Sequence, residues 1–294
     1  MSDSSLPDFD SLWDYHHPEE TERRFREILP LAANGGDRSY HAQLLTQIAR
    51  CLGLQRRFDE AHRLLDDVQQ ELTEDVSLAR IRYLLERGRV FNSSKQPDAA
   101  RPLFLQAWES ACAAGEDGFA VDAAHMLGIV ETGDQQLEWN LKALALAENS
   151  PQPRAQRWLG SLYNNIGWTY HSAGQYEKSL EIFAKALRWR EEKDAHSRET
   201  RIARWCVARA LRSIGRLEVA LAMQRALLIE NEKLNEPDGF VYEEIAECLL
   251  AQDRVEEARQ YFALAYQELA KDPSFSEDEP ARWERLKTQA GSEV

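Results

Sequence analysis

Six segments of this 294-residue chain share one internal spacing, and this spacing limits the fold more than any other feature. Each segment contains a small residue, and a large apolar residue follows three positions later. These small residues are Ala49, Gly88, Ala124, Gly167, Ala208 and Ala246. Twelve positions after them stand Ala61, Ala100, Gln136, Ser179, Ala220 and Ala258. The segments themselves begin 39, 36, 43, 41 and 38 residues apart. A constant spacing inside each segment with variable spacing between segments predicts helix pairs joined by loops of different length.

Each helix pair has to bury one apolar face on the next pair, so the spacing predicts a stack of helical hairpins, an all-α solenoid. We expect about six hairpins within residues 42–272, starting near residues 42, 81, 117, 160, 201 and 239. Residues 1–41 are predicted to be an N-terminal segment with a capping helix. Residues 273–294 are predicted to form a C-terminal solvating helix and tail.

The clearest segment resembles a known repeat. Its pattern has a small residue, an aromatic one turn later, a glycine, a second aromatic, and then an Ala-x-x-x-Phe-x-x-Ala run in which Ser replaces the first Ala. The residues are Gly167, Tyr170, Gly174, Tyr176, Ser179, Phe183 and Ala186. This pattern is similar to the tetratricopeptide repeat, and the resemblance covers about residues 42–272. Units near 40 residues exceed the usual 34 and resemble those of kinesin light chains and bacterial peptide-sensing regulators.

The resemblance implies a right-handed solenoid whose first helices line a concave, partner-binding face. The residues expected on that face follow each small residue by one position, or lie one turn to either side. From this face we predict the partner-binding residues Arg50, Arg89, Asn92, His125, Asn164, Trp168, His171, Trp205, Arg209, Arg212, Glu243 and Glu247. Arg and Trp are enriched in interface hot spots, and the planar Arg fork suits carboxylates.

Two interpretations of this face are open. In the first, the Arg and Asn side chains hold an acidic segment or a C-terminal carboxylate of a protein or peptide, and Trp168 and Trp205 anchor it. In the second, the Arg side chains pair internally with acidic neighbours and the Trp side chains fill helix contacts. Those neighbours are Glu86, Asp122, Glu243 and Glu247. The aromatic cluster Trp13-Asp14-Tyr15 likewise either packs over the first helices or forms a lid on the end of the groove.

Charge and cysteine content narrow the class of protein. A net charge of −14 opposes binding to nucleic acid and to anionic membranes. No apolar run of eighteen residues and no secretory signal is present, so no membrane association is expected. The cysteines Cys51, Cys112, Cys206 and Cys248 form no Cys-x-x-Cys pair. A reduced, cytoplasmic protein is the simplest prediction.

No sequence motif for nucleotide binding or nucleophilic catalysis is present. We therefore predict no catalytic residue, no metal and no cofactor, and a non-catalytic adaptor or regulatory module that binds a peptide or protein segment. A sensor of a small anionic ligand or signalling peptide is the alternative. A cryptic enzyme or metal protein using Asp122, His125 and His171 is a third hypothesis. The sequence does not determine the partner or the oligomeric state.

Overall fold

The computed structural model describes residues 6–73 and 76–291, and all regular structure in these ranges is helical. A 3-10 turn at Phe9–Leu12 comes first. The α-helices are α1 (Pro18–Asn34), α2 (Arg38–Leu54), α3 (Phe58–Glu71), α4 (Ser77–Ser93), α5 (Pro97–Ala114), α6 (Asp117–Val130), α7 (Gly133–Asn149), α8 (Pro153–Gln156), α9 (Leu159–Ser172), α10 (Tyr176–Asp194), α11 (Arg198–Ser213), α12 (Leu217–Leu234), α13 (Gly239–Leu250), α14 (Val255–Leu269), α15 (Pro273–Asp278) and α16 (Pro280–Gln289). The fold class is an all-α helical-hairpin solenoid.

The chain divides into two compact units, residues 1–162 and 163–294. In unit 1, the hairpins α2–α3, α4–α5 and α6–α7 follow the N-terminal helix α1. In unit 2, α11–α12 and α13–α14 are consecutive hairpins, and the short helices α15 and α16 follow them. The division at residue 162 falls within α9.

The small residues of the repeated spacing allow the two helices of a hairpin to approach closely. A Cβ atom built on Gly88 would lie 2.5 Å from Cε1 of Phe104 in the partner helix. On Gly167 it would lie 2.3 Å from Cε1 of Phe183. Both Phe rings are buried, so glycine at these positions makes room for an aromatic side chain that fills the hairpin core.

Turn chemistry explains where several helices begin and end. The Asp37 side chain accepts a hydrogen bond from the Tyr40 backbone N–H at the start of α2, and Ser197 caps α11 in the same way. Helix α5 is capped at its C-terminal end by Gly115, whose φ of 69° is the left-handed conformation that glycine adopts without a steric cost. These signals depend only on residues close in the sequence, so they mark helix ends independently of the packing between hairpins.

The terminal helices pack on the repeats of their own units. Phe25 of α1 is fully buried in unit 1. In unit 2, Pro280 begins α16, whose Leu286 is fully buried. The Trp283 ring of α16 stacks on Tyr266 with 4.4 Å between ring centroids. Thus both terminal helices add apolar surface to a core as well as polar surface to the exterior.

Within residues 6–73 and 76–291, no helix has the length and apolar character needed to cross a membrane.

Candidate functional site

Unit 2 contains an open groove of about 480 Å³, which we call the unit-2 groove. It is lined by Trp168, Trp205, Arg209, Arg212, Glu243, Glu247, Glu279, Arg282 and Arg285. The first six of these are residues predicted for the inner face. The first helices α9, α11 and α13 supply them, because helix residues spaced by three, four or seven positions share one face. The remaining three belong to the C-terminal part of the chain.

A buried carboxylate organises the floor of the unit-2 groove. Glu244 is fully buried, and its Oε2 accepts a 2.8 Å hydrogen bond from Nε of Arg212. Arg209 also donates to this carboxylate. Burial raises the pKa of Glu244 to about 7, and the opposing effect of Arg212 only partly offsets this rise. Glu244 therefore holds two of the predicted binding arginines within the protein.

Helix α16 supplies two more arginines to the same groove. Nε of Arg282 donates to Oε1 of Glu243 over 2.9 Å, and Glu243 is only 2 % exposed. Arg285 lies 3.4 Å from Oε1 of Glu243 and also forms an ion pair with Glu247. Glu247 is 3.8 Å from Arg212, a loose pairing. Of these contacts, only Arg212–Glu247 is a pair that the second interpretation of the sequence, internal pairing, had named. Arg285 remains about half exposed.

The two predicted Trp side chains meet at one end of the unit-2 groove. Their ring centroids are 5.8 Å apart, and both rings are half-buried. Nε1 of Trp205 donates to the backbone carbonyl of Phe240 over 3.1 Å, which orients the indole. Predicted residues Asn164 and His171 are not among the lining residues of this groove. Asn164 accepts a hydrogen bond from Cys206, and His171 bonds to Ser213 over 2.9 Å.

Unit 1 contains a second groove, of about 340 Å³, which we call the unit-1 groove. Its lining includes Asp10, Trp13, Gln47, Arg50, Arg82, Glu86, Arg89, Phe119, Asp122, Arg154 and Arg157. Nη1 of Arg50 donates to Glu86 over 3.1 Å, and Arg89 joins Glu86 to Asp122. Predicted residues Arg50 and Arg89 are therefore also paired within the protein.

The 3-10 turn places one carboxylate between two further arginines of the unit-1 groove. Asp10 forms ion pairs with both Arg82 and Arg154. Their guanidinium carbons lie 5.0 Å and 4.4 Å from the centroid of the Phe119 ring. Burial alone would raise the pKa of Asp10, but the two arginines outweigh it and hold this pKa below its ordinary value.

The remaining predicted residues of unit 1 lie outside the lining described above. Asn92 is half-buried near the end of α4. The His125 ring lies 5.0 Å from Trp158, and burial lowers its pKa. His171 belongs to the other unit. Among the described residues, no group of three or more His, Cys, Asp or Glu side chains is arranged to hold a metal ion.

Comparisons with known proteins agree with this architecture. Residues 160–193 match the model of the tetratricopeptide repeat. The apo form of RapI is similar over 90 % of this chain and 75 % of its own, with 13 % identity and a TM-score of 0.73. A putative kinesin light chain from P. anserina matches over 69 % and 100 %, with 15 % identity and a TM-score of 0.55. NprR in complex with its cognate peptide NprX matches over 97 % and 83 %, with 16 % identity and a TM-score of 0.55.

The chain folds as a tetratricopeptide-repeat solenoid. The resemblance seen in the sequence, including that to kinesin light chains, is confirmed at the level of the fold. A comparison with curated proteins found no match.

Sequence reasoning missed several groove residues of this tetratricopeptide-repeat solenoid. Arg82 precedes Arg89 by seven positions, two helical turns, so the helical period could have placed it on the inner face. Arg282 and Arg285 are three positions apart on α16, a spacing that also marks one face. Asp10 and Arg154 carry no such signal, because neither belongs to a first helix of a repeat.

Proposed function

We propose that this solenoid is a non-catalytic interaction module that binds a peptide or protein segment in its grooves. The observation that carries the proposal is the unit-2 groove, where six residues of the predicted inner face line one open surface. The fold supports it, since stacked hairpins present extended binding surfaces. NprR, a solenoid of similar fold, is in complex with its cognate peptide. We also propose that residues 42–272 form the six repeats, between terminal segments 1–41 and 273–294, and that the protein is cytoplasmic.

The chemistry of the unit-2 groove suits a segment with a carboxylate and an apolar side chain. Trp168 and Trp205 offer half-exposed rings at one end of it. Arg285 is the most exposed arginine of this lining, about half exposed, and it keeps this exposure while pairing with Glu247 and Glu243. An acidic side chain or a C-terminal carboxylate can therefore bind Arg285 without displacing the buried Arg212–Glu244 pair.

The volume of the unit-2 groove favours a second candidate function. A cavity of about 480 Å³ falls within the range of small-molecule pockets, about 300–1,000 Å³. A sensor of a small anionic ligand or signalling peptide is therefore the alternative. Binding to the native state alone would raise its melting temperature.

The experiment selects peptides with free C-termini from a random display library on the full-length protein. Binding of a selected peptide is then measured by fluorescence anisotropy with Arg285→Gln and Trp205→Ala. Arg188→Gln is the matched control, because Arg188 is exposed and lies outside the lining of the groove. Arg89 and Arg209 are poor choices for charge reversal, since each is paired with a carboxylate of low exposure.

We expect Arg285→Gln to weaken peptide binding about tenfold, the usual effect of one lost charge-assisted hydrogen bond. Arg188→Gln should bind like the wild-type protein. If the selected peptides bind Arg285→Gln and Trp205→Ala with unchanged affinity, the assignment of the unit-2 groove is wrong. If no peptide is selected but small organic anions raise the melting temperature, the sensor function replaces the proposal.

A further inference from the structure

The N-terminal segment 9–15 forms one wall of the unit-1 groove and contacts the groove's other residues much as a bound peptide would. The Phe9 ring is buried and makes edge-to-face contacts with Phe25 and Tyr40. One residue further on, the Asp10 carboxylate pairs with Arg82 and Arg154. Segment 9–15 precedes α1 and belongs to no hairpin, so these side-chain contacts, together with hydrogen bonds between Asp14 and Thr21 of α1, hold it in place.

The aromatic residues at the end of segment 9–15 are also held by side-chain contacts with unit 1. Nε1 of Trp13 donates to Oε1 of Gln47 on α2 over 3.1 Å. Tyr15 stacks on Trp13 with 4.6 Å between centroids, and the guanidinium of Arg50 lies 5.5 Å from the Tyr15 ring. The segment thus combines one carboxylate with aromatic anchors, the two features expected of a peptide ligand.

The unit-1 groove without Asp10 would be strongly cationic. Five arginines and three carboxylates line it, so removal of Asp10 leaves five arginines beside two carboxylates. Arg82 is 5 % exposed, and its Nε atom is buried with no hydrogen-bond partner among the described residues. A buried guanidinium that is incompletely paired requires an anion, because the loss of hydration is otherwise uncompensated.

We propose that the unit-1 groove is a binding site for an acidic partner segment with aromatic residues beside its carboxylate, and that segment 9–15 is an internal competitor for this site. The inference rests on the proposed peptide-binding function and names the class of partner for unit 1. The Arg82–Phe119–Arg154 cluster recognises the carboxylate, since both guanidinium groups contact one aromatic ring and converge on one anion. Gln47 and Arg50 recognise the aromatic residues.

The proposed competition has a measurable consequence. A tethered segment acts at an effective concentration in the millimolar range, so it masks the groove from a free peptide of equal affinity. Weakening the internal segment should expose the groove. A peptide with the same sequence as the segment is then the natural probe, because its contacts are known.

The experiment uses a fluorophore-labelled peptide with the sequence of residues 6–17, Leu-Pro-Asp-Phe-Asp-Ser-Leu-Trp-Asp-Tyr-His-His. Anisotropy measures its binding to the full-length wild-type protein, to Asp10→Asn, and to the matched control Glu19→Gln. Glu19 is exposed in the first turn of α1 and lies outside the groove lining. A second peptide carries Asn in place of the aspartate that corresponds to Asp10. Circular dichroism verifies that each variant is folded.

We expect the native peptide to bind Asp10→Asn at least about tenfold more tightly than it binds the wild type or Glu19→Gln. The Asn-containing peptide should bind Asp10→Asn about tenfold more weakly than the native peptide does, and adding Arg154→Gln should remove this difference. Excess native peptide should also increase hydrogen exchange at residues 8–17 of the wild-type protein, a readout that does not depend on any variant.

Two results would overturn the inference: equal affinity of both peptides for Asp10→Asn, or unchanged exchange in the wild-type protein at saturating peptide. Should Asp10→Asn fail to fold, the exchange measurement decides alone. If the unit-1 inference fails but binding of the library peptides still requires Arg285, the proposed function of the unit-2 groove stands. If binding of the library peptides does not require Arg285 but the native peptide still binds the unit-1 groove, the peptide-binding function belongs to unit 1 instead.

Discussion

In each unit a terminal segment forms ion pairs with the rest of the unit, but the side that supplies the carboxylate and the side that supplies the arginines are exchanged between the two units. In unit 1, the N-terminal segment supplies a carboxylate, Asp10, and the body of the unit supplies Arg82 and Arg154. In unit 2, the C-terminal helix supplies Arg282 and Arg285, and the first helix α13 supplies Glu243. An inner face that looks uniformly rich in arginine along the sequence therefore offers arginines to a terminal carboxylate in unit 1 and carboxylates to terminal arginines in unit 2.

This difference predicts how strongly each contact contributes to folding. Glu243 is 2 % exposed, whereas the side chain of Asp10 is 26 % exposed. Ion pairs lose strength as water gains access to them, because solvent screens the charges. The ion pairs of Glu243 in unit 2 should therefore contribute more to stability. The ion pairs of Asp10 in unit 1 should break more easily, which fits the proposed exchange of segment 9–15 with a partner.

The largest effect is expected for Glu243→Ala. Truncation leaves Arg282 and Arg285 without their shared carboxylate in a partly buried site. Removing one partner of a buried ion pair costs about 3–5 kcal/mol, so we expect a loss of about 4 kcal/mol in the free energy of unfolding. Urea unfolding followed by circular dichroism measures it. Glu279→Ala, at the exposed edge of the same groove, should change stability by less than about 0.5 kcal/mol. Equal effects of the two substitutions would contradict this account of unit 2.

The next effect concerns the pH dependence contributed by Glu244. Its pKa is raised from 4.5 to about 7 by burial, so between these pH values the native chain binds a proton that the unfolded chain has lost. The free energy of unfolding therefore falls as pH rises from about 4.5 to 7, by up to about 3 kcal/mol, and this contribution is constant outside the window. Glu244→Gln should remove it. Urea midpoints of both proteins from pH 5 to 8 test this, and parallel curves would show that Glu244 is ionised throughout.

A smaller loss, of about 2 kcal/mol, is expected for Asp10→Ala in unit 1. The buried guanidinium of Arg82 loses its carboxylate, but the site is more open to water than that of Glu243. The same urea measurement applies, with Glu19→Ala as the control that removes an exposed carboxylate from the following helix. If Asp10→Ala lowers the free energy of unfolding as much as Glu243→Ala or more, the proposed ranking of the Asp10 and Glu243 ion pairs is wrong.

The smallest effect should be the same in both units, because it depends on the repeat itself. Gly88→Ala and Gly167→Ala each place a methyl group within 2.5 Å of a buried Phe ring. Overpacking costs about 1–3 kcal/mol, and the higher helix propensity of Ala returns about 1 kcal/mol. A net loss of about 1 kcal/mol in each variant is expected in thermal or urea unfolding. A loss in only one variant would mean that the two hairpins are packed differently.

The all-α fold and the inner-face positions in unit 2 were predictable because both depend on helical periodicity. The twelve-residue spacing between the two marked positions of a segment predicts a helical hairpin without any information about the neighbouring hairpins. Trp168, Trp205, Arg209 and Arg212 follow from the same period. The same period also places Arg82 on the inner face, seven positions before Arg89.

The sequence by itself determined the helical hairpins, because local periodicity, capping residues and small-residue spacing act over one or two helices. Only the tertiary structure decided which charges meet. Asp10 and Arg154 are 144 positions apart, and Glu243 and Arg282 are 39 apart. No local pattern joins such residues, since an ion pair depends on where packing places two chain segments in space. The physical reason is range: helix formation is set by near neighbours along the chain, whereas the charge of each groove is set by segments that folding brings together.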